Sequence, residues 1–313
     1  MPSSRLVVVA GPTASGKSRV ALAIAEAFGG IVINADSMQV YRELHLLTAR
    51  PSIADEARVP HRLFGCLSAA ERCSAGRWQR LALTEIATAR ASGRLPIVVG
   101  GTGLYLQALT AGLAPVPDIP EGIRAEAQAL YERLGGDAFR DSLAALDPTS
   151  ADRLAATDRS RLLRAWEVIT ATGQPLSSWQ AATQGGFAEP ALAIILTPPR
   201  DLLYRTIDAR FDAMLKAGAV EEVQALLALG LDAGLPAMKA VGVREIARYL
   251  AGITTLEAAA SAAKQSSRNY AKRQMTWLRH HIISPISYST QFSEKNLDET
   301  VSFIRQDGLT SLE

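Results

Sequence analysis

Leu6-Val-Val-Val-Ala10-Gly11-Pro-Thr-Ala-Ser-Gly16-Lys17-Ser18 runs a short apolar segment straight into a complete G-x-x-x-x-G-K-[ST] loop, and an Ala-rich helical pattern begins near Arg19. A strand before the loop and a helix after it are the context that a phosphate cradle requires. The two glycines let the backbone turn so that successive N–H groups point inward. Lys17 adds a positive charge, and the Ser18 hydroxyl can ligate a Mg²⁺ carried by the same phosphates. The loop does not say which phosphate ester sits there, or whether phosphate is transferred or leaves.

Three more apolar runs recur between helical stretches: Ile31 to Asn34, Pro96 to Val99 and Ala191 to Leu196. Continuous apolar strands separated by helices predict a parallel sheet covered on both faces, here a P-loop NTPase-like α/β core. The last of these strands follows a long excursion opened by Pro115, Pro117 and Pro120 and closed by Gln184-Gly-Gly, whose pattern is helical. The expected organisation is a first part of the core over residues 1–113, a helical insertion over 114–189, completion of the core with basic helices over 190–283, and a polar tail over 284–313. Helices are predicted over Leu202 to Ala217, Ala219 to Leu229, Val243 to Leu250 and Leu256 to His281, with a weak amphipathic segment near Leu297 to Ile304.

The 313 residues are 48% hydrophobic and 20% charged, the make-up of an ordinary globular protein. With a formal net charge of +2, a nucleic-acid partner would have to be held by a local patch rather than a global field. Two cysteines, Cys66 and Cys73, make no disulfide framework, and four histidines show no metal-ligand spacing. No stretch approaches the roughly 20 apolar residues of a membrane span, and the N-terminal run is too short for a secretory signal. A soluble cytoplasmic chain is expected, with no membrane partner.

The second strand delivers Asn34-Ala-Asp36-Ser37-Met38-Gln39-Val-Tyr41-Arg42, which sets a carboxylate at the carboxyl end of a parallel strand, beside the phosphate loop. Asp36 can be a general base, a Mg²⁺ ligand, or a helix N-cap with Ser37. The third strand ends in Gly100-Gly101-Thr102-Gly103, where an ordinary P-loop NTPase places a metal-binding carboxylate, and this argues against ATP hydrolysis. Gly100 and Gly101 allow close approach of the backbone to a ligand, and Thr102 offers a hydroxyl or a helix cap. Basic residues gather at Arg159, Arg161 and Arg164, and again at Lys264, Arg268 and Lys272, every four residues in a stretch from Ala258 to Ser293 that holds no Asp or Glu. Such a stripe can follow a phosphate backbone, with Tyr270 and Trp277 on an adjoining face, or be a solvated helix face with both rings in the core. Arg210 is a candidate phosphate clamp, and His61 is left as a structural histidine.

Gly11 to Ser18, Asp36 to Arg42, Val59-Pro-His-Arg-Leu63, Val99-Gly-Gly-Thr-Gly-Leu-Tyr105, Asp158 to Val168 and Ala271-Lys-Arg-Gln-Met-Thr-Trp-Leu278 occur in order. Together they resemble the tRNA dimethylallyltransferase family, from about residue 5 to residue 281. The resemblance implies transfer of a dimethylallyl group from dimethylallyl diphosphate to N6 of the adenosine immediately 3′ of the anticodon, in tRNAs that read codons beginning with U. It implies that Asp36 accepts the amine proton and that Thr102 holds amine and carboxylate in line. Thr13, Ala14, Ser15, Gly16, Lys17, Ser18 and Arg210 would bind the diphosphate, with Mg²⁺ at Ser18. Asp36, Ser37, Met38, Gln39, Thr102, Arg124, Ser160, Arg161, Arg164, Lys239 and Arg244, with the Lys264, Arg268 and Lys272 stripe, would face the tRNA anticodon stem-loop, Gln39 reading the edge of the extruded base. A monomer is expected.

Where the family reads Met-Asp-Ile-Gly-Thr-Ala-Lys-Pro, this chain has Leu44-His-Leu-Leu-Thr-Ala-Arg-Pro51, replacing an acid by His45 and a glycine by Leu47; Gly65 and Ser160 also depart from the pattern. These departures bear on the loop around Thr48 and on the contact at Ser160, and leave Asp36, Lys17 and Thr102 untouched. A Cys/His finger of the kind some eukaryotic relatives carry is missing from the C-terminal sequence. The competing readings are a P-loop small-molecule or nucleotide kinase, a prenyltransferase acting on free adenine nucleotide, and an RNA-binding regulator without catalysis.

Overall fold

The computed structural model describes residues 6–187, 191–281, 286–288 and 294–306, so the boundaries expected at 189/190 and 283/284 lie outside the described residues. The four apolar runs form β1 (Leu6–Ala10), β2 (Ile31–Asn34), β4 (Pro96–Gly100) and β7 (Ala191–Leu196). Two short strands, β3 (His61–Arg62) and β8 (Ile286–Tyr288), extend them into a six-stranded sheet in the order β3-β2-β4-β1-β7-β8, every pairing parallel.

All of β1 is buried, with Leu6, Val8 and Ala10 in one core and Val7 and Val9 in another. Alternation between two apolar cores is what a strand covered on both faces requires, and it is why this run carries no polar residue. The Val7/Val9 face is covered by α1 (Lys17–Phe28) through Val20, Ala21, Ile24 and Ala25. After the short α2 (Ile53–Arg58), α3 (Ala75–Ala91) covers the other face with Trp78, Ala82, Ile86 and Ala89.

Register places the site. Val99 pairs with Asn34 on one side and Val9 on the other, and Gly100 with Ala10. The loops after β1, β2 and β4 therefore leave the sheet at one level, on the carboxyl edge where open α/β sheets bind ligands. The last of these loops leads into α4 (Gly103–Thr110).

Two compact units account for the chain, one of Met1–Thr110 with Phe187–Glu313 and the other of Ala111–Gly186. The second holds α5 (Glu121–Ala144), α6 (Pro148–Arg153), α7 (Arg159–Thr172) and α8 (Leu176–Ala181) around Ala127, Phe139, Leu143, Leu162 and Trp166. An antiparallel ladder of β5 (Gly112–Leu113) and β6 (Gln184–Gly185) joins its ends, too short to leave any pattern in sequence. The first unit continues with α9 (Arg200–Lys216), α10 (Ala219–Ala228), α11 (Val243–Leu250), α12 (Leu256–His281) and α13 (Glu294–Gln306). α9 buries Leu203, Ile207, Phe211 and Met214 at helical spacing. No helix among the described residues is long and apolar enough to cross a membrane.

Candidate active site at the carboxyl edge of the sheet

Asp36 is set in place by the buried Asn34 at the end of β2. The Asn34 amide accepts from Asp36 N at 2.8 Å and donates to the carbonyls of Asp36 at 3.0 Å and Leu63 at 3.1 Å. Asp36 Oδ1 then accepts from Met38 N at 2.9 Å, closing a local turn rather than capping a helix. Thr102 zips this turn to the loop after β4: its N–H donates to Ala35 O at 3.3 Å, and its hydroxyl oxygen accepts from Ser37 N at 3.0 Å. Its side chain thus holds the Asp36 loop rather than α4.

The phosphate loop takes its shape from left-handed residues at Ala14 (φ 64°) and Gly16 (φ 89°). Gly16 adopts that conformation without strain, whereas Ala14 costs about 1 kcal/mol there, a pattern common at ligand sites. Thr13 N donates to Gln274 Oε1 at 2.8 Å and Ser15 N to Pro12 O at 3.2 Å. These two amides already have acceptors, while those of Lys17 and Ser18, in the first turn of α1, have none within the helix. Ser18 is exposed, and the Ser15 hydroxyl is buried without a partner. Arg210 donates to the Thr13 hydroxyl at 2.5 Å.

Burial lowers the Lys17 ammonium from its ordinary 10.5 to about 8, Asp36 raising it and Arg210 lowering it further. Burial also lowers Arg210, and Asp36 opposes this. Two desolvated cations beside one carboxylate make a site with an unmet demand for negative charge. The Lys17 shift from 10.5 to about 8 costs about 3 kcal/mol of stability at pH values below 8, relieved as pH rises from 8 toward 10.5. A bound anion raises this pKa again, so pyrophosphate affinity should be full below pH 8 and fall as pH rises through it. Calorimetric titration across pH 7 to 10 checks this, with Lys17→Arg as the control that stays charged. Parallel pH profiles for the two proteins would remove Lys17 from the anion site.

Beyond these charges lies a cavity of about 270 Å³ whose polar side includes Thr13, Asp36, Ser37 and Arg210, and whose apolar wall includes Leu47, Ile207, Phe211 and Met214. Tyr270 also lines it, with its hydroxyl beside that of Thr102. Burial first and the Asp36 charge second raise the Tyr270 pKa, so the phenol stays a proton donor. Gln274, buried in α12, bridges two loops by accepting from Thr13 N and donating to Gly101 O at 2.9 Å. Tyr270 and Gln274 were not singled out for these roles in the sequence, which carries only their helical spacing.

Gly100, which ends β4, and Gly101 after it make close contacts within the protein. A β-carbon on Gly100 would strike the Ala35 carbonyl, and one on Gly101 the Gln274 amide. They let protein pack on protein, and the close approach is to β2 and α12. Gln39 likewise donates its side-chain amide to Thr48 O at 2.8 Å and Ala49 O at 3.1 Å, which ties down the 44–51 loop. That loop is also held from α10, where Glu222 accepts from the amides of His45 and Leu46 at 2.7 Å and Leu47 at 3.0 Å.

The structure brings Asp36, Ser37, Met38, Thr13, Arg210 and Lys239 to one cavity. Arg244 is exposed near the start of α11. Arg124, Ser160, Arg161 and Arg164 belong to the other unit, where Arg161 pairs with Asp158 at 3.3 Å and Arg164 with Glu167 at 3.5 Å. The basic stripe needs correction, because two of its three cations are neutralised. Lys264 lies 2.6 Å from Asp212, and Arg268 Nη1 reaches both oxygens of Asp208 at 2.7 and 2.8 Å. The acids come from α9, which a scan of α12 alone does not see. Lys272 is exposed and has no ion pair among the described residues. Trp277 lies against Gly103 and stacks on His281. His61 is a hydrogen-bonded structural residue, its Nδ1 2.9 Å from Val59 O and its ring on Phe64.

A parallel sheet with this loop after its central strand belongs to the P-loop class, and a carboxylate facing the loop over a part-apolar cavity suits group transfer better than phosphate hydrolysis. The family described as IPP transferase matches residues 39–281, and that described as isopentenyl transferase matches residues 4–66. The tRNA dimethylallyltransferase of Rhodospirillum centenum is 57% identical over 287 residues, 90% of this chain and 91% of that one. Its counterpart in Paramagnetospirillum magneticum is 50% identical, covering 99% and 98% of the two chains. Among solved structures, the tRNA isopentenylpyrophosphate transferase of Bacillus halodurans is 34% identical with a TM-score of 0.69, over 98% of this chain and 97% of that one. A eukaryotic dimethylallyltransferase acting on tRNA gives a TM-score of 0.79 at 25% identity, over 97% of this chain and 80% of that one. The chain belongs to the IPP transferase family.

Proposed function

We propose that this chain transfers a dimethylallyl group from dimethylallyl diphosphate to N6 of the adenosine immediately 3′ of the anticodon in tRNAs reading codons beginning with U. The observation that carries the reading is one cavity lined by Asp36 and Arg210 with an apolar wall beyond, and the desolvated Lys17 within reach of both charges. The diphosphate lies against the loop from Thr13 to Ser18, and the isoprene unit lies on the apolar wall. N6 attacks the allylic carbon, the C–O bond breaks with its electron pair leaving on diphosphate, and the amine proton passes to Asp36. Lys17 and Arg210 stabilise charge that grows on the leaving group. The hydroxyls of Thr102 and Tyr270, beside one another, orient the amine against the carboxylate.

Among the described residues no group of three or more His, Cys, Asp or Glu is placed to hold a metal. The Ser18 hydroxyl is a hard oxygen donor that suits Mg²⁺ arriving with the diphosphate, where the ion would share the leaving-group charge. Lys239, Arg244 and Lys272 in the first unit face the anticodon stem-loop, as do Arg124, Ser160, Arg161 and Arg164 in the second, in the cytoplasm.

A kinase would need a carboxylate on its metal at the end of β4, where this chain has Gly100-Gly101-Thr102. Incubation with Mg²⁺, dimethylallyl diphosphate and an unmodified anticodon stem-loop with three adjacent adenosines tests the reading by the mass of the RNA. One added dimethylallyl group, with none added to AMP alone, is the expected result. ATP consumption without RNA modification would replace the reading by the kinase.

A further inference from the structure

We propose that Leu47 sets the length of the prenyl chain that the cavity takes, and that Glu222 is the positioning residue that keeps Leu47 there; this rests on the donor lying in the cavity as described above. Arg210, bonded to Thr13 of the phosphate loop, marks the diphosphate end. Along α9, Met214 stands one turn further on, about 6 Å at 1.5 Å per residue. Leu47 lines the cavity on this apolar side. A β-carbon on Gly242 would lie 2.9 Å from Leu47 Cδ2 and 3.3 Å from Phe211 Cε2, so the two side chains meet over that glycine. Ile207, Phe211 and Met214 are buried in α9, whereas Leu47 comes from a loop, as do the lining residues Met38, Ala240 and Val241.

That loop is tied at every step. The Glu222 carboxylate accepts from three consecutive amides, of His45, Leu46 and Leu47. The Thr48 hydroxyl donates to Leu44 O at 2.7 Å, and Gln39 donates to Thr48 O and Ala49 O. Ala49 sits in the left-handed region at φ 53°, a conformation a non-glycine residue keeps only when its surroundings impose it. A loop backbone fixed in this way cannot retreat and carry Leu47 out of the cavity for a longer donor, so the residue discriminates by size. Glycine at position 47 would lengthen the apolar slot, and so, to a lesser degree, would alanine.

The test gives wild type and Leu47→Ala equal concentrations of dimethylallyl and geranyl diphosphate with the stem-loop, and reads both products by RNA mass. Wild type should favour dimethylallyl on the order of a hundredfold, the scale on which a packed pocket rejects extra methylenes. Leu47→Ala should cut this ratio at least tenfold. Glu222→Gln should move it in the same direction, because an amide cannot accept at both of its termini. Lost stability alone lowers both products together and leaves the ratio where it was. If Leu47→Ala does not fold, Leu47→Val is read by the same ratio. A variant that transfers dimethylallyl with an unchanged ratio overturns the proposal, whereas a wild type that transfers neither donor overturns the underlying functional reading instead.

Discussion

Asp36→Asn lowers single-turnover transfer on the order of 10³-fold, within the 10²- to 10⁴-fold that a positioned general base contributes, while stem-loop binding survives. The asparagine variant is the cleaner one. Asp36 Oδ1 also accepts from Met38 N, a bond that an asparagine oxygen keeps and an alanine loses. Asp36→Ala should also abolish transfer, at an added stability cost of about 1 kcal/mol for the lost turn. The carboxylate has a second effect through charge. Asp36 raises the pKa values of Lys17 and Arg210 against their desolvation, so its removal lowers Lys17 below about 8. The pH at which pyrophosphate affinity begins to fall should therefore be lower in Asp36→Asn than in wild type. A fully active Asp36→Asn would sink the assignment of the base.

Gln274→Ala should destabilise the protein by roughly 2–5 kcal/mol, read as a lower midpoint in urea with an unchanged slope. The Gln274 side chain is buried and serves two loops at once, through Thr13 N and Gly101 O. Truncation leaves the part-buried Thr13 N–H and the buried Gly101 carbonyl without these partners, and a fully buried group so left costs about 1–3 kcal/mol. It also leaves a void where the amide stood. Gln274→Glu separates the contributions, since its carboxylate still accepts from Thr13 N but sets an oxygen against Gly101 O. Both variants loosen the phosphate loop against the Thr102 loop, so transfer should fall more than stem-loop binding. A Gln274→Ala protein with wild-type stability would mean that water replaces both bonds and that the bridge is dispensable.

How much of this was legible in sequence differs from residue to residue. The four long strands could be read because each is an apolar run, buried on both faces in β1, β2 and β4 and largely so in β7, and such a run announces itself through its own composition. β3 and β8, with two and three residues, were not, because pairing at the sheet edge made them strands rather than any pattern of their own. Asp36 was legible as a residue at the carboxyl end of β2, yet its role as turn former and cavity wall together was not. The stripe of Lys264 and Arg268 looked unopposed because their partners, Asp212 and Asp208, lie on another helix.

By itself, the sequence determined what neighbouring residues settle among themselves: the four long apolar strands, the phosphate loop between a strand and a helix, and the approximate extents of the helices from α9 to α12. Tertiary structure alone decided which face of α9 and α12 meets the carboxyl edge of the sheet. Gln274 reaches Thr13 across 261 residues, Glu222 reaches Leu47 across 175, and Arg210 reaches Thr13 across 197. The physical reason is that hydrophobic burial fixes how these helices dock, through Phe211, Met214, Ala271 and Leu278, and the polar side chains beside them are carried to their partners by that docking.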